Sequence, residues 1–131
     1  MDEKTAILAL NDTFYRAFEK KDIGAMSEVW SQGTWCSCIH PGRETLRGWE
    51  NTRTSWEQIF RNTNYLEIET EIINVEIGEA IAYIILVENV MQIVGKQRYE
   101  ARSMATNIFR KMAQKWYLVH HHGSPIASKR E

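Results

Sequence analysis

From Tyr65 onward the sequence alternates with a period of two, and this stretch limits the fold more than any other. Leu66, Ile68, Thr70 and Ile72 take one side of the pattern, and Glu67, Glu69 and Glu71 take the other. That is the signature of a half-buried strand. The phase slips where Ile72 and Ile73 are both apolar, then resumes through Val75 and Ile77. A slip of this kind marks a bulge or a sharp bend in a curved strand. Gly78-Glu79 turns the chain into "AIAYIILVENVMQIV", Gly95-Lys96 turns it again into "QRYEARSMATNIFRK", and Ala113-Gln114 leads into "KWYLVHHH". Long strands joined by such tight turns form an antiparallel meander.

The first half has a different period. Ile7, Leu10, Phe14, Ala17 and Phe18 recur at helical spacing. Asp22 is placed to cap a short second helix carrying Ile23, Met26, Val29 and Trp30. "TWCSCIH" reads as a short strand stopped by Pro41-Gly42. A third helix is expected from near Leu46 to Phe60, burying Trp49, Trp56, Ile59 and Phe60. Three helices followed by a sheet predict an α+β fold, and residues 1–131 are expected to form one domain. The tail "IASKRE" is expected to fray.

Charge narrows the partners. Sixteen Lys and Arg face seventeen Asp and Glu, so neither nucleic acid nor an anionic membrane is an expected partner. No apolar run reaches spanning length. The acidic, amphipathic start "MDEKTAILALND" lacks the basic region of a secretory signal. Cys36 and Cys38 are too close for an unstrained bridge, so reduced thiols and a cytoplasmic location are expected.

Three of the four histidines stand together, as His120, His121 and His122. If Ala113-Gln114 is the hairpin loop, Met112 faces Lys115, and counting back sets Asn107 opposite His120 and Ala105 opposite His122. His120, His122, Asn107, Phe109 and Leu118 then share one face, and His121 takes the other. Apolar walls with a few polar groups suit a ligand pocket. His121 is expected at a dimer face or in solvent. Glu88, a lone carboxylate in an apolar run, faces either the pocket with a raised pKa or a dimer interface, with the interface slightly favoured. His40, before Pro41, reads as a rim or pocket residue or as a turn histidine. Cys36, Cys38 and His40 alternate on one strand face and, with His120 or His122, would suit zinc by donor type. The spacing matches no established metal motif, so neither metal nor cofactor is expected.

"FYRAFEKKDIGAMSEVWS", "HPG", "LRGWENTRTSWEQIF", "ATNIF" and "KWYLVHHHGSP" together resemble the nuclear transport factor 2-like superfamily, and more closely its SnoaL-like branch with the ketosteroid isomerase homologues. The resemblance implies a cone: a curved antiparallel sheet wrapped against three N-terminal helices around an interior pocket, the cystatin-like arrangement. It also implies a homodimer through the outer sheet face. Tyr15 is placed as a counterpart of the isomerases' helix tyrosine, and no counterpart of their strand aspartate is found. The expectation is a protein that binds a small apolar or mixed-polarity molecule through Asn107, Tyr15, His40, Trp56, Phe109 and Leu118. Two alternatives stay open. One is a cofactor-independent isomerase, dehydratase or cyclase using His122 or His120 as a general acid–base group. The other is a dimeric association module.

Overall fold

The computed structural model describes residues 2–127. Its elements are α1 (Glu3–Lys20), α2 (Ile23–Val29), β1 (Ser37–Ile39), β2 (Leu46–Arg47), α3 (Trp49–Asn62), β3 (Tyr65–Ile77), β4 (Ile81–Val94), β5 (Gln97–Met112) and β6 (Lys115–Pro125). One sheet holds all six strands in the order β2-β1-β6-β5-β4-β3. The meander runs through β3 to β6, as the alternation requires, and β1 joins it parallel to β6. The sheet is curved and unclosed, so the fold is α+β. What was expected of the tail beyond Ala127 lies outside the described residues.

Side chains start and stop the helices. The Asp2 carboxylate accepts from the Thr5 backbone N–H at 2.7 Å, and that of Asp22 accepts from Ala25 at 3.0 Å. Each satisfies a backbone donor that its helix leaves unpaired. Lys21 ends α1 in the left-handed region, with its N–H on the Ala17 and Phe18 carbonyls. The third helix starts later than expected. Gly48 at φ 81° breaks the path, so Leu46 and Arg47 pair with β1 instead, and the helix begins at Trp49.

Strand β3 is an edge, and α1 covers part of it. The Ile68 N–H donates to Glu19 Oε2 at 2.8 Å, and Arg16 Nη2 donates to the Ile68 carbonyl at 3.1 Å. Two exposed ladder groups are thereby taken out of reach of another strand. Between helices and sheet lies an aromatic core around Phe14, Trp30 and Trp56. Phe14 meets Trp56 edge-on at 5.6 Å and Trp30 at 6.2 Å between ring centroids, the arrangement that ring quadrupoles favour.

Two bulges bend the sheet. The β3–β4 register shifts between Ile72 and Asn74, where the sequence slips phase. The second was not expected. Ala113 and Gln114, at φ 50° and 70°, form the two-residue turn, and Met112 pairs with Lys115. That register holds only to Phe109 and Leu118. Ile108 then pairs with His120, leaving Val119 as the extra residue. Beyond Val119 every side chain of β6 is turned to the opposite face from the one an unbroken count gives.

Candidate functional site

The bulge decides which histidine is inside. Asn107 pairs with His121, not His120, and His121 is buried with its ring against Phe14 and Trp56. His120 and His122 face the other way, the first half-buried and the second exposed. The expectation that they line the interior, with His121 at a dimer face or in solvent, is therefore reversed. One unpaired residue at Val119 is the cause. Asn107, Phe109 and Leu118 do face the interior, each at 0% exposure.

Four elements deliver the polar side chains that meet there. On α1, Ile7, Asn11, Phe14 and Tyr15 follow helical spacing and share the buried face. Glu88 comes from β4, two residues on from the buried Leu86, and Asn107 and His121 come from β5 and β6. Glu88 thus lies in the interior and not at an outer interface.

Three hydrogen bonds and one longer polar contact close these groups into a ring. Asn107 Nδ2 donates to Asn11 Oδ1 at 2.9 Å and to Tyr15 Oη at 3.1 Å. The Tyr15 hydroxyl donates to Glu88 Oε2 at 2.7 Å. Glu88 Oε2 lies 3.7 Å from His121 Nε2, and His121 Nδ1 meets Asn107 Oδ1 at 2.6 Å. Both Asn107 amide hydrogens are donated, so its oxygen accepts and His121 Nδ1 must carry the proton. Nε2 is left with a lone pair turned toward the carboxyl.

Burial sets the charges. Desolvation raises the Glu88 carboxyl to about 7, although the Tyr15 hydrogen bond opposes the shift. It lowers His121 to about 3, with His40, His120 and His122 adding smaller effects in the same direction. The close His121–Glu88 pair is therefore a neutral imidazole beside a carboxyl that titrates near neutrality, and not a salt bridge. Desolvation and the neighbouring Glu88 push the Tyr15 phenol well above its usual range.

A rim flanks the ring. His40 Nε2 is 3.0 Å from Ser55 Oγ and 3.8 Å from Cys38 Sγ, and its ring meets Trp56 edge-on at 4.8 Å. Burial lowers His40 to about 4 and pushes the Cys38 thiol up out of reach of ionisation at neutral pH. Trp56 Nε1 and Thr52 Oγ1, one turn apart on α3, are buried without a hydrogen-bond partner. Among the described residues, no group of three or more His, Cys, Asp or Glu side chains is placed to hold a metal ion, and no helix is long and apolar enough to cross a membrane. Two open recesses, of about 920 and 710 Å³, lie elsewhere. One runs along Glu67, Asn89 and Arg102, the other between Ser31, Lys115 and Tyr117. No member of the ring lines either.

Gly123 closes the end of the site. A Cβ there would sit 2.9 Å from Pro41 Cγ and 3.1 Å from Pro41 Cδ, and 3.8 Å from Glu88 Oε1. The proline ring cannot swing aside as a flexible side chain would. Gly123→Ala should therefore cost about 1–3 kcal/mol, seen as a lower midpoint in thermal denaturation. An unchanged midpoint would mean that the Pro41 turn yields freely.

Asn11 and the ring itself were missed by sequence reasoning. The signal for Asn11 was its position four residues after Ile7 and three before Phe14, on the buried stripe of α1.

A SnoaL-like domain family model matches residues 7–128. The F-box protein SKIP8 of Arabidopsis thaliana is 23% identical over 119 residues, which are 91% of this chain and 49% of that protein. The chain thus spans about half the length of this curated relative. A candidate dehydratase of the nuclear transport factor 2-like family from Streptomyces avermitilis superposes with a TM-score of 0.87 at 25% identity, covering 96% of this chain and 98% of that one. A ketosteroid isomerase-like protein from Erwinia carotovora atroseptica gives 0.84 at 18% identity, covering 98% and 100%.

Proposed function

Because this chain belongs to the SnoaL-like domain family, we propose that it binds a small molecule of mixed polarity in its interior, against the Tyr15–Glu88–His121–Asn107 ring. The observation that carries this reading is the ring, set among Phe14, Trp56, Phe109 and Leu118, with the indole N–H of Trp56 buried and unpaired. Stability alone favours apolar residues at such depth, since a buried unpaired donor costs about 1–3 kcal/mol. A ligand carbonyl or hydroxyl answers the indole N–H. Apolar walls with a few convergent polar groups are what a ligand site needs.

A second reading makes the chain an acid–base enzyme of the isomerase or dehydratase kind. Glu88 supports it, because a carboxyl poised near 7 can both give and take a proton at neutral pH. Here the acid–base group is Glu88, with His121 holding its lone pair toward it. His120 and His122 face away from the interior. Tyr15 already donates to Oε2, so the proton a ligand receives or gives belongs on Oε1, beside Gly123. The likeness to a candidate dehydratase agrees with this reading.

The chain is further proposed to work as a homodimer. Tyr65, Ile73, Ile81, Tyr99 and Met104 stand exposed on the strands, and large apolar side chains left in water favour a partner that covers them. Light scattering should give about twice the 15.3 kDa chain mass, and a monomer at micromolar concentration would contradict it.

Extraction of the protein from its native host, followed by mass spectrometry, tests the binding proposal. One small molecule bearing a carbonyl or hydroxyl should be retained per chain, and little should be retained by Asn107→Leu. A chain that carries nothing, and whose Trp56 indole N–H signal stays fixed when neutral cyclic enones are added, would overturn it. In the enzymatic reading, Glu88→Gln keeps binding and loses turnover.

A further inference from the structure

The histidine run supplies two side chains that the interior does not use. His120 and His122 are two residues apart on β6, so the pleat puts both on the outward face. Their rings stand 6.0 Å apart between centroids, at 89° to each other. With metal–nitrogen bonds of about 2 Å, two imidazoles on one ion place their centroids roughly 5 Å apart. A small side-chain rotation covers the difference.

The surroundings prepare His120 to act as a ligand. Its Nδ1 lies 2.7 Å from Ser37 Oγ, across the parallel β1–β6 pair. When Nδ1 donates to that hydroxyl, Nε2 carries the lone pair, and the ring orientation is held. This is the outer-shell support that metal-ligating histidines use. Partial burial and the neighbouring His122 also favour the neutral, ligand-competent ring of His120. The residues paired with the two histidines are Ser37 and Ile39 on β1, and Ile108 and Thr106 on β5. None of them brings a carboxylate or thiolate to the pair.

We propose that His120 and His122 form a two-imidazole chelate for a late first-row divalent metal ion on the outward face of β6, with water completing the coordination. Imidazole ligands without carboxylate select Cu2+, Ni2+ and Zn2+ over Mg2+ and Ca2+, and Cu2+ binds most tightly in that series. The pair is separate from the thiol–imidazole set around Cys38 and His40, and it does not depend on the interior ring.

Calorimetric titration of the purified chain with Cu2+ and Zn2+, alongside His120→Ala and His122→Ala, tests the chelate. His122 is exposed and His120 half-buried, so both variants should fold, which circular dichroism checks. One ion per chain is expected, and either variant should weaken binding by about tenfold or more, because losing one arm removes the intramolecular second bond. Zn2+ should shift the ring signals of His120 and His122 together in NMR spectra and leave the His121 ring protonated at Nδ1. Ser37→Ala should weaken binding by a smaller factor. Absence of binding by the unmodified chain would overturn the proposal, as would either histidine variant binding as tightly as the unmodified chain.

Discussion

Glu88→Gln should stabilise the protein progressively as the pH rises from 4.5 to 7, relative to any offset between the two proteins in acid. In the fold this carboxyl titrates at about 7, against 4.5 in the unfolded chain. Between those values the folded state keeps a proton that the unfolded state releases, so stability falls with rising pH. The contribution of Glu88 is fully present below 4.5 and is lost as pH passes 7. At 1.36 kcal/mol per pH unit, the loss is about 3 kcal/mol. Glutamine does not titrate and preserves the shape, with its carbonyl oxygen in the place of Oε2 to accept from Tyr15. His121 and His40 act with the opposite sign. Their folded values of about 3 and 4 lie below 6.5, so their contribution is present above 6.5 and is lost as pH falls. Both proteins share those histidines, so the difference between them isolates Glu88. Urea unfolding at half-unit steps from pH 4.5 to 8 measures it. A constant difference would mean that Glu88 ionises in the fold as it does in water.

Asn107→Leu should be the more damaging change at every pH, costing about 3 kcal/mol or more. Leucine has a similar volume, so packing is not the main loss. What is lost is the group that joins Asn11, Tyr15 and His121, at 2.9, 3.1 and 2.6 Å. The His121 Nδ1 proton is then left without an acceptor at full burial, and one such orphan costs about 1–3 kcal/mol. Adding His121→Phe removes the orphan. The double variant should therefore lose less than the sum of the two single losses, by about 1–2 kcal/mol. Strict additivity would mean that the two residues do not share a network.

The sequence shows the sheet far better than the site. The meander was legible because apolar and acidic residues alternate along β3 and because turn residues punctuate the rest. The β3 bulge was legible because Ile72-Ile73 breaks that alternation. Leu118-Val119 is the same kind of mark, two adjacent apolar residues where one should alternate. It is followed by three identical histidines, which carry no period, so nothing downstream reported the slip. The register was thus counted correctly from the turn to Leu118 and inverted beyond it. Glu88 was ambiguous for a related reason. Ile85 and Val87 are as apolar as Ile84 and Leu86, so β4 has no polar face from which to read a phase. Phe109 and Leu118 kept their expected faces because they lie on the turn side of the bulge, Asn107 because the extra residue is in β6 and leaves the alternation of β5 unbroken, and Tyr15 because its helix has a clear stripe.

One measurement bears most directly on this account: the NMR titration of the His121 ring nitrogens together with the Glu88 carboxyl carbon, from pH 4 to 8. The buried ring predicts a His121 that stays neutral with its proton on Nδ1 throughout, and a Glu88 that changes state near 7. A His121 that protonates near 6.5, with Glu88 titrating near 4.5, would contradict it. That result would place both groups in water and leave the interior without its polar centre.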